Sequence, residues 1–495
     1  MPKKLHVNLF EMNCVSHITH GLWVHPDNNR HRFNDLNFWT ELAQLLEYGT
    51  FDAVFLADVI GAYDQFRDGP ETALREALQI PNNDPLLVIP AMAAVTKNLG
   101  FGATFSTTYE PPFAFARRMS TLDHLTKGRV AWNIVTSYLP NAARNFGRED
   151  EVAHDQRYEI ADEYLDVLYK LWEGSWDDNA VIQDRENRVY TDPSRVRYIH
   201  HVGEHFKVAG PHLCQPSRQR TPVLFQATGS NAGKEFAGRH AEAVFTGGFT
   251  LDAVRKNIAD MRARAVAHGR GPNAIKFIVG ASVIVGKTDA EVTKKLETFR
   301  RLISVEGRLA HAQSGIDFTI YPREERLAAI IARKDRGWDK IPPRFQPNQT
   351  IGEVLDQLGS LGQGRHFVAG TPKVVADEIE KWLDVDGIDG INLLQYLSFD
   401  TARDFIELVV PELRRRGRYR EFYNGGETLR ELFFGSGHAR LPASHFGARY
   451  RDPAALSAPP QRLHFSKPPE DLPLTQLSMH EFREKTSTLA IAGKS

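Results

Sequence analysis

Cysteine is nearly absent from this sequence: Cys14 and Cys214 are the two among 495 residues. That argues against a disulfide framework and for a reducing, cytoplasmic setting. Long apolar runs are missing as well. No stretch approaches the roughly 20 residues that a membrane helix needs. The apolar opening, residues 5–10 (LHVNLF), is too short and too interrupted for the core of a signal peptide. Net charge is also lacking, since 61 Lys and Arg stand against 62 Asp and Glu. A balanced surface gives no electrostatic reason to expect nucleic acid or an anionic membrane as partner.

What is present is a rhythm. Short runs rich in Val, Ile and Phe occur at residues 5–10, 52–58, 99–107, 129–137, 223–228, 243–247, 275–285 and 390–395. Most are followed by longer segments of helical period. Helical spacing is plain at residues 34–46, 155–172 and 289–302, and at 373–383, where Thr371 and Pro372 open the helix. Strands apolar on both faces that alternate with helices predict a parallel sheet covered by helices. Eight of them predict a closed (β/α)₈ barrel of the TIM type within the α/β class. No GxGxxG follows the first strand, which argues against a dinucleotide-binding open sheet. A barrel core takes about 250 residues, so segments 138–222 and 286–368 are expected insertions, the first with a hairpin near 180–208. Residues 1–450 are expected to form the barrel. Residues 451–495, rich in Pro and Ser, are expected to be an extended tail.

Active sites of such barrels lie at the C-terminal ends of the strands. The polar residues expected there are Asn13, Cys14, His17 and His20 after strand one, and Asp58 and Tyr63 after strand two. Strand three contributes Thr104, Ser106, Thr107, Thr108 and Tyr109, and strand four Asn133, Thr136, Ser137 and Tyr138. Strand five ends in Ala227-Thr228-Gly229-Ser230, followed by a helix. A small, hydroxyl-bearing helix start suits a phosphate. A loop that needs glycine for positive φ is the other reading. His17 and His20 are spaced i,i+3 with no cluster of further ligands, so no metal site is expected. Cys14 reads either as a nucleophile with His17 or as a buried apolar side chain.

Several longer motifs carry a family resemblance. Residues 10–17 (FEMNCVSH), FDAVFLADV, residues 120–133 (STLDHLTKGRVAWN), AHDQRY and PVLFQATGSNAG occur in this order. Together they resemble the bacterial-luciferase-like flavin monooxygenases of the nitrilotriacetate, dibenzothiophene-sulfone and dimethyl-sulfide group. The resemblance covers roughly residues 5–450 and is greatest to the long-chain alkane monooxygenases. It implies an enzyme that uses FMN, supplied as FMNH2 by a separate NAD(P)H:FMN reductase, and O2. Such an enzyme oxygenates an apolar organic substrate through a C4a-peroxyflavin and assembles as a homodimer or homotetramer. Asp58, Thr104, Ser137, His154, Tyr158 and Ala227, Thr228, Gly229 and Ser230 match FMN positions. Cys14, His17, Tyr63, Gln79, Asn133 and His311 match the substrate side. His17, Asn133 and Tyr138 are expected to donate hydrogen bonds to the bound oxygen. Tyr138 stands where the alkane enzymes have His, and the segment from Ala312 to about Pro347 diverges. Those departures leave open a sulfide, sulfone, amine or haloaromatic substrate. Outside the group, a deazaflavin-dependent hydride-transfer enzyme, a non-catalytic flavin-binding protein and a metal-dependent barrel hydrolase are the rivals.

Overall fold

A computed structural model describes residues 2–312, 315–334, 345–362, 364–458 and 461–463. All eight expected strands are present, with ends shifted by a residue or two: β1 (His6–Met12), β2 (Ala53–Ala57), β3 (Gly100–Ser106), β4 (Val130–Val135), β5 (Val223–Ala227), β6 (Ala243–Thr246), β7 (Lys276–Val285) and β8 (Gly390–Leu394). Every neighbouring pair is parallel. β1 pairs with both β2 and β8, β8 with β7, and β6 with β7 from Ala243↔Lys276 to Thr246↔Val279, which closes the ring. The two faces of each strand are filled differently. Val7, Leu9, Val54, Leu56, Phe101, Trp132 and Leu224 pack outward against the helices. Ala53, Phe55, Ala131, Phe225 and Ile278 fill the lower interior, where alternation sends every second side chain inward.

A short helix, Leu429–Phe434, plugs the lower end of the barrel. Thr428 caps it in a reciprocal pair with Glu431. Leu429 and Phe433 enter the interior cluster, and His6 stacks on Phe433 at 4.8 Å between ring centres. The next residue along, Arg430, is buried. Its guanidinium donates to Glu242 Oε1 at 2.7 Å and Oε2 at 3.0 Å, and to the carbonyl oxygens of Thr221 and Pro222. Glu242 also accepts from Leu224 N at 3.0 Å. Burying two charges is costly, and this full set of partners is what offsets it.

The insertions are ordered elements. Within 138–222 the long helix His154–Tyr169 runs on through a wider turn, Lys170–Gly174. The expected hairpin is two small ones, Val181–Asp184 with Val189–Thr191 and His201–Val202 with Lys207–Val208. After β7, helices Asp289–Leu302, Val305–His311, Leu327–Ala332 and Ile351–Leu358 precede a further strand, Phe367–Gly370. That strand pairs in parallel with the upper half of β7, Ser282–Val285, beyond the reach of β6. Four residues with two half-exposed positions are too short to declare themselves by periodicity. The expected tail also needs correction at its start. Arg451 is paired with Glu173 at 2.7 Å, Leu456 is buried against Gly174, and Leu463 N donates to Asp162 Oδ2 at 3.1 Å. These residues dock on the long helix, so the barrel unit extends past 450; the tail beyond residue 463 lies outside the described residues.

Arg430→Met should therefore cost about 3–5 kcal/mol, because it strands the Glu242 carboxylate. The double variant Arg430→Met/Glu242→Met should be more stable than either single variant. Urea unfolding midpoints of the four proteins test this; additive losses would mean that the pair is not coupled.

Candidate active site

With the lower end plugged, the strand ends at the top carry the accessible chemistry. A cavity of about 610 Å³ opens there between the ends of β2, β3 and β4. Of the residues expected from sequence, Asp58, Gln79, Thr104, Ser137 and Tyr138 line it. So do apolar Val59, Ile60, Ile80, Phe105, Val135, Leu139 and Ala142, and the stacked pair Tyr109 and Phe146, 4.6 Å apart at 18°. Ser137 has φ 61 and Gln79 φ 49, in the left-handed region that residues with a Cβ seldom occupy. Such backbone strain costs about 1–3 kcal/mol and persists where the surroundings over-determine it. Ser137 is held by its hydroxyl, which donates to Ser106 Oγ at 2.8 Å.

Asp58 ends β2 and accepts from Asn82 Nδ2 at 2.7 Å. Burial, helped by the charge of Asp84 and opposed by the Asn82 hydrogen bond, pushes its carboxyl up to about 7. Asn133 lies inside the barrel. Its amide nitrogen donates to Thr104 Oγ1 at 3.0 Å, and its carbonyl oxygen has no hydrogen-bond partner. One of its two N–H groups is thus committed to Thr104.

Behind the cavity wall, residues far apart in sequence form a line. Tyr138 and Tyr63 share a hydrogen bond of 2.7 Å, and Tyr63 OH donates to Gln79 Oε1 at 3.0 Å. Gln79 Nε2 donates to His17 O at 2.9 Å and reaches His311 Nε2 at 3.4 Å. His17 thus joins through its backbone, while its ring lies 4.4 Å from Phe10. Burial holds the His17 imidazole well below its ordinary value and therefore neutral. Cys14 is buried, in bridge contact with Asn82, and burial pushes its thiol up to about 12. A thiol held protonated is no nucleophile at neutral pH, so of its two sequence readings the buried side chain fits.

A second cluster forms at the end of β5. Ser230 caps helix Asn231–His240, its Oγ accepting from Gly233 N at 2.9 Å. Three hydroxyls converge on Gly233: a Cβ there would lie 1.9 Å from Thr228 Oγ1, 2.7 Å from Tyr158 OH and 2.9 Å from Ser230 Oγ. Neither Gly229 nor Gly233 has positive φ, so these glycines supply space and not a turn. Thr228 Oγ1 is buried without a protein partner. His154, at the start of the long helix, packs edge-on to Tyr158 at 5.2 Å. Hydroxyls and first-turn N–H groups around a hollow at a helix start suit a phosphate.

The nine residues expected at the cofactor therefore sit in one of these two groups, at the ends of β2 to β5 and at the start of the long helix. Sequence reasoning missed Asn82, which orients Asp58, and the aromatic partner Phe146. Asn82 follows Pro81 in a polar run (PNND), a weak signal that reads equally well as a loop. Among the described residues no three His, Cys, Asp or Glu groups converge as a metal site would require, and no helix is long and apolar enough to cross a membrane.

The chain is similar over most of its length to several known proteins. The family profile described as luciferase-like monooxygenase matches residues 12–386. A long-chain alkane monooxygenase of Geobacillus thermodenitrificans strain NG80-2 is 54% identical over 455 residues, 91% of this chain and 99% of that protein. A crystal structure of a long-chain alkane monooxygenase superposes with a TM-score of 0.84 at 55% identity, over 91% of this chain and 100% of that one. The dimethyl-sulfide monooxygenase of Hyphomicrobium sulfonivorans is 44% identical over 91% of this chain and 95% of its own. A riboflavin lyase crystallised with modified FMN and riboflavin matches with a TM-score of 0.81 at 36% identity, over 91% of this chain and 100% of that one.

Two tests follow from the geometry. Ser230→Asp places a negative charge in the hydroxyl hollow, so it should weaken FMN at least tenfold, about 1.4 kcal/mol, and spare riboflavin, which has no phosphate. Equal losses for both ligands, read by fluorescence titration, would signal a folding defect. Asp58, with an ordinary value of 3.8 and a folded value of about 7, keeps a proton in the fold that it releases on unfolding. Its contribution to stability is fully present below about pH 4 and is lost as pH rises through about 7. Asp58→Asn should match the wild-type melting temperature near pH 4 and exceed it above about pH 8; parallel curves would show the carboxylate to be well solvated.

Proposed function

The chain belongs to the luciferase-like monooxygenase family and is a monooxygenase, and from that premise we propose that it uses FMNH2 and O2 to oxygenate an apolar, long-chain alkane-like substrate. The observation that carries the flavin assignment is the hollow at Gly233. Its converging hydroxyls and the partnerless Thr228 Oγ1 have the chemistry of a phosphate seat. Ser230, Thr228 and the helix amides would hold the phosphate, with Tyr158 and His154 beside it. Thr104, Ser137 and Asp58, at the ends of β3, β4 and β2, would meet the ring system. When bound, the flavin supplies the activation of dioxygen.

The chain's own residues then have three tasks. Apolar Val59, Ile60, Ile80, Leu139 and Ala142 favour a hydrocarbon substrate, since removing it from water contributes about 25 cal/mol per Å². Tyr109 and Phe146 stack in the cavity lining and add apolar surface there, and exclusion of water protects a reactive oxygen species from wasteful decay. Tyr63, Gln79 and His311 brace the wall that Tyr138 presents to the cavity. Reduced flavin comes from a separate NAD(P)H:FMN reductase, for the sequence carries no dinucleotide fingerprint. The cavity also has a polar side, with Asn82, Asn141 and Asn145. That side favours a second reading, a sulfide or other heteroatom substrate of the same family.

A substrate panel decides between them. With FMN, NADH and a generic flavin reductase in excess, hexadecane should give its primary alcohol, whereas dimethyl sulfide and dibenzothiophene sulfone should give hydrogen peroxide without oxygenated product. Product from a sulfide or sulfone alone would replace the alkane reading. No product from any of them, with turnover on a deazaflavin cofactor, would overturn the flavin assignment.

A further inference from the structure

Several buried carboxylates of this protein are matched by a cation. Asp52 has Arg420, Asp162 has Arg239, and Glu242 has Arg430. Asp58 has no such partner. It ends β2 in the cavity lining, where its supports are uncharged: the Asn82 side-chain amide at 2.7 Å and the backbone of Val59. The charge that acts on it is that of a second carboxylate, Asp84, which opposes ionisation. A carboxylate taken out of water without a cation is costly, and such a group keeps its proton instead. The Asp58 carboxyl accordingly lies at about 7.

The oxygen that carries this proton follows from the neighbours. Val59 O only accepts, and it lies 3.1 Å from Asn82 Nδ2, which fixes the nitrogen end of the Asn82 amide on this side. The same nitrogen donates to Asp58 Oδ1. Oδ1 is thus the acceptor, and the hydrogen belongs to Oδ2. Asp58 shares the cavity with Val59, Ile60 and Ile80, so its surroundings are largely apolar. Two other titratable groups near it stay protonated at neutral pH, since burial pushes the Cys14 thiol up to about 12 and raises the Tyr138 phenol. Farther round the cavity, Glu110 is paired with Arg118 at 2.8 Å.

We propose that Asp58 meets the flavin ring system as an uncharged acid and donates its Oδ2 hydrogen to a ring acceptor, with Asn82 as the positioning residue that takes Oδ1 and leaves Oδ2 for the ligand. The inference rests on the reading of this cavity as the flavin site, and adds the protonation state in which that site binds. A carboxylate in the same place would set acceptor against acceptor. Binding and protonation are therefore linked: the bound ring holds the acid form, and above about pH 7 it must draw a proton from solvent to do so.

Riboflavin isolates the effect, because it carries the ring without a titrating phosphate. Its affinity for the full chain, read by fluorescence titration, should be level below about pH 6 and fall about tenfold by about pH 8.5, the scale of one hydrogen bond exchanged for two facing acceptors. Asp58→Asn keeps an N–H donor and does not titrate, so it should hold the low-pH affinity throughout. Asp58→Ala should bind weakly and equally at every pH. Infrared difference spectra of the ligand-free protein, wild type minus Asp58→Asn, should show the carbonyl stretch of a protonated carboxyl at about pH 6 and lose it by about pH 8.5. Wild-type riboflavin affinity that is flat with pH would overturn the proposal. That is the result expected if the proton is given instead to Asn82 Oδ1, which is enclosed without a partner. A pH dependence that survives in Asp58→Asn would overturn it too, by assigning the titration to another group. Should neither riboflavin nor FMN bind at any pH, the flavin reading itself falls, and the proposal with it, whatever the infrared spectra show.

Discussion

The buried pair of Arg430 and Glu242 governs where this protein can do chemistry. A parallel barrel has two open ends, and the interior side chains alone do not close the lower one. The helix Leu429–Phe434 does so, pinned by a guanidinium that satisfies a carboxylate and two carbonyl oxygens at the base of β5 and β6. With that end sealed by Leu429 and Phe433, the interior can afford polar groups higher up. Asn8 and Asn392 meet at 3.0 Å, and Asn133 and Thr104 at 3.0 Å above them in strand order. An apolar floor beneath a polar upper layer confines the polar groups to the end of the barrel where the cavity opens.

The parts of the fold that periodicity reveals are those buried on both faces. β2 reads as a strand because all but the last of its residues, Ala53–Ala57, are enclosed, and β7 because eight of its ten residues are buried, Lys276 and Gly280 being the exceptions. The strand Phe367–Gly370 escapes such reading since it adds to the edge of an existing strand and needs little apolar content of its own. The docking of residues 451–463 escapes it for a different reason. Two buried leucines, Leu456 and Leu463, the ion pairs of Arg451 and Arg462, and the backbone groups of Gln461 and Leu463 hold that segment, and such contacts have no sequence period.

The candidate site divides in the same way. The hollow at Gly233 is local: Thr228, Ser230 and Gly233 lie within one loop and helix start, so the sequence TGSNAG suggests a phosphate directly. The wall behind Tyr138 is not local. Tyr63, Gln79, Tyr138 and His311 span nearly 250 residues, and only closure of the ring brings them together. Composition and spacing carry no trace of that contact; family resemblance puts Tyr63, Gln79 and His311 on one side of the site, and Tyr138 is where this chain departs from it.

The insertion that delivers His311 is tied to the barrel on either side of its divergent stretch. Upstream, helix Asp289–Leu302 follows β7 directly; downstream, Phe367–Gly370 hydrogen-bonds to the protruding half of β7. The same strand therefore serves as the root and the return of one long excursion. Mechanically this resembles a loop of rope made fast twice to one post. Between the two ties, Ile316, Phe318, Leu327, Ile330 and Phe345 pack in one apolar cluster with Leu309 and Ala310, the neighbours of His311 on its helix. A change of shape in that cluster is therefore felt at His311, while the two ties on β7 keep the ends of the excursion in register.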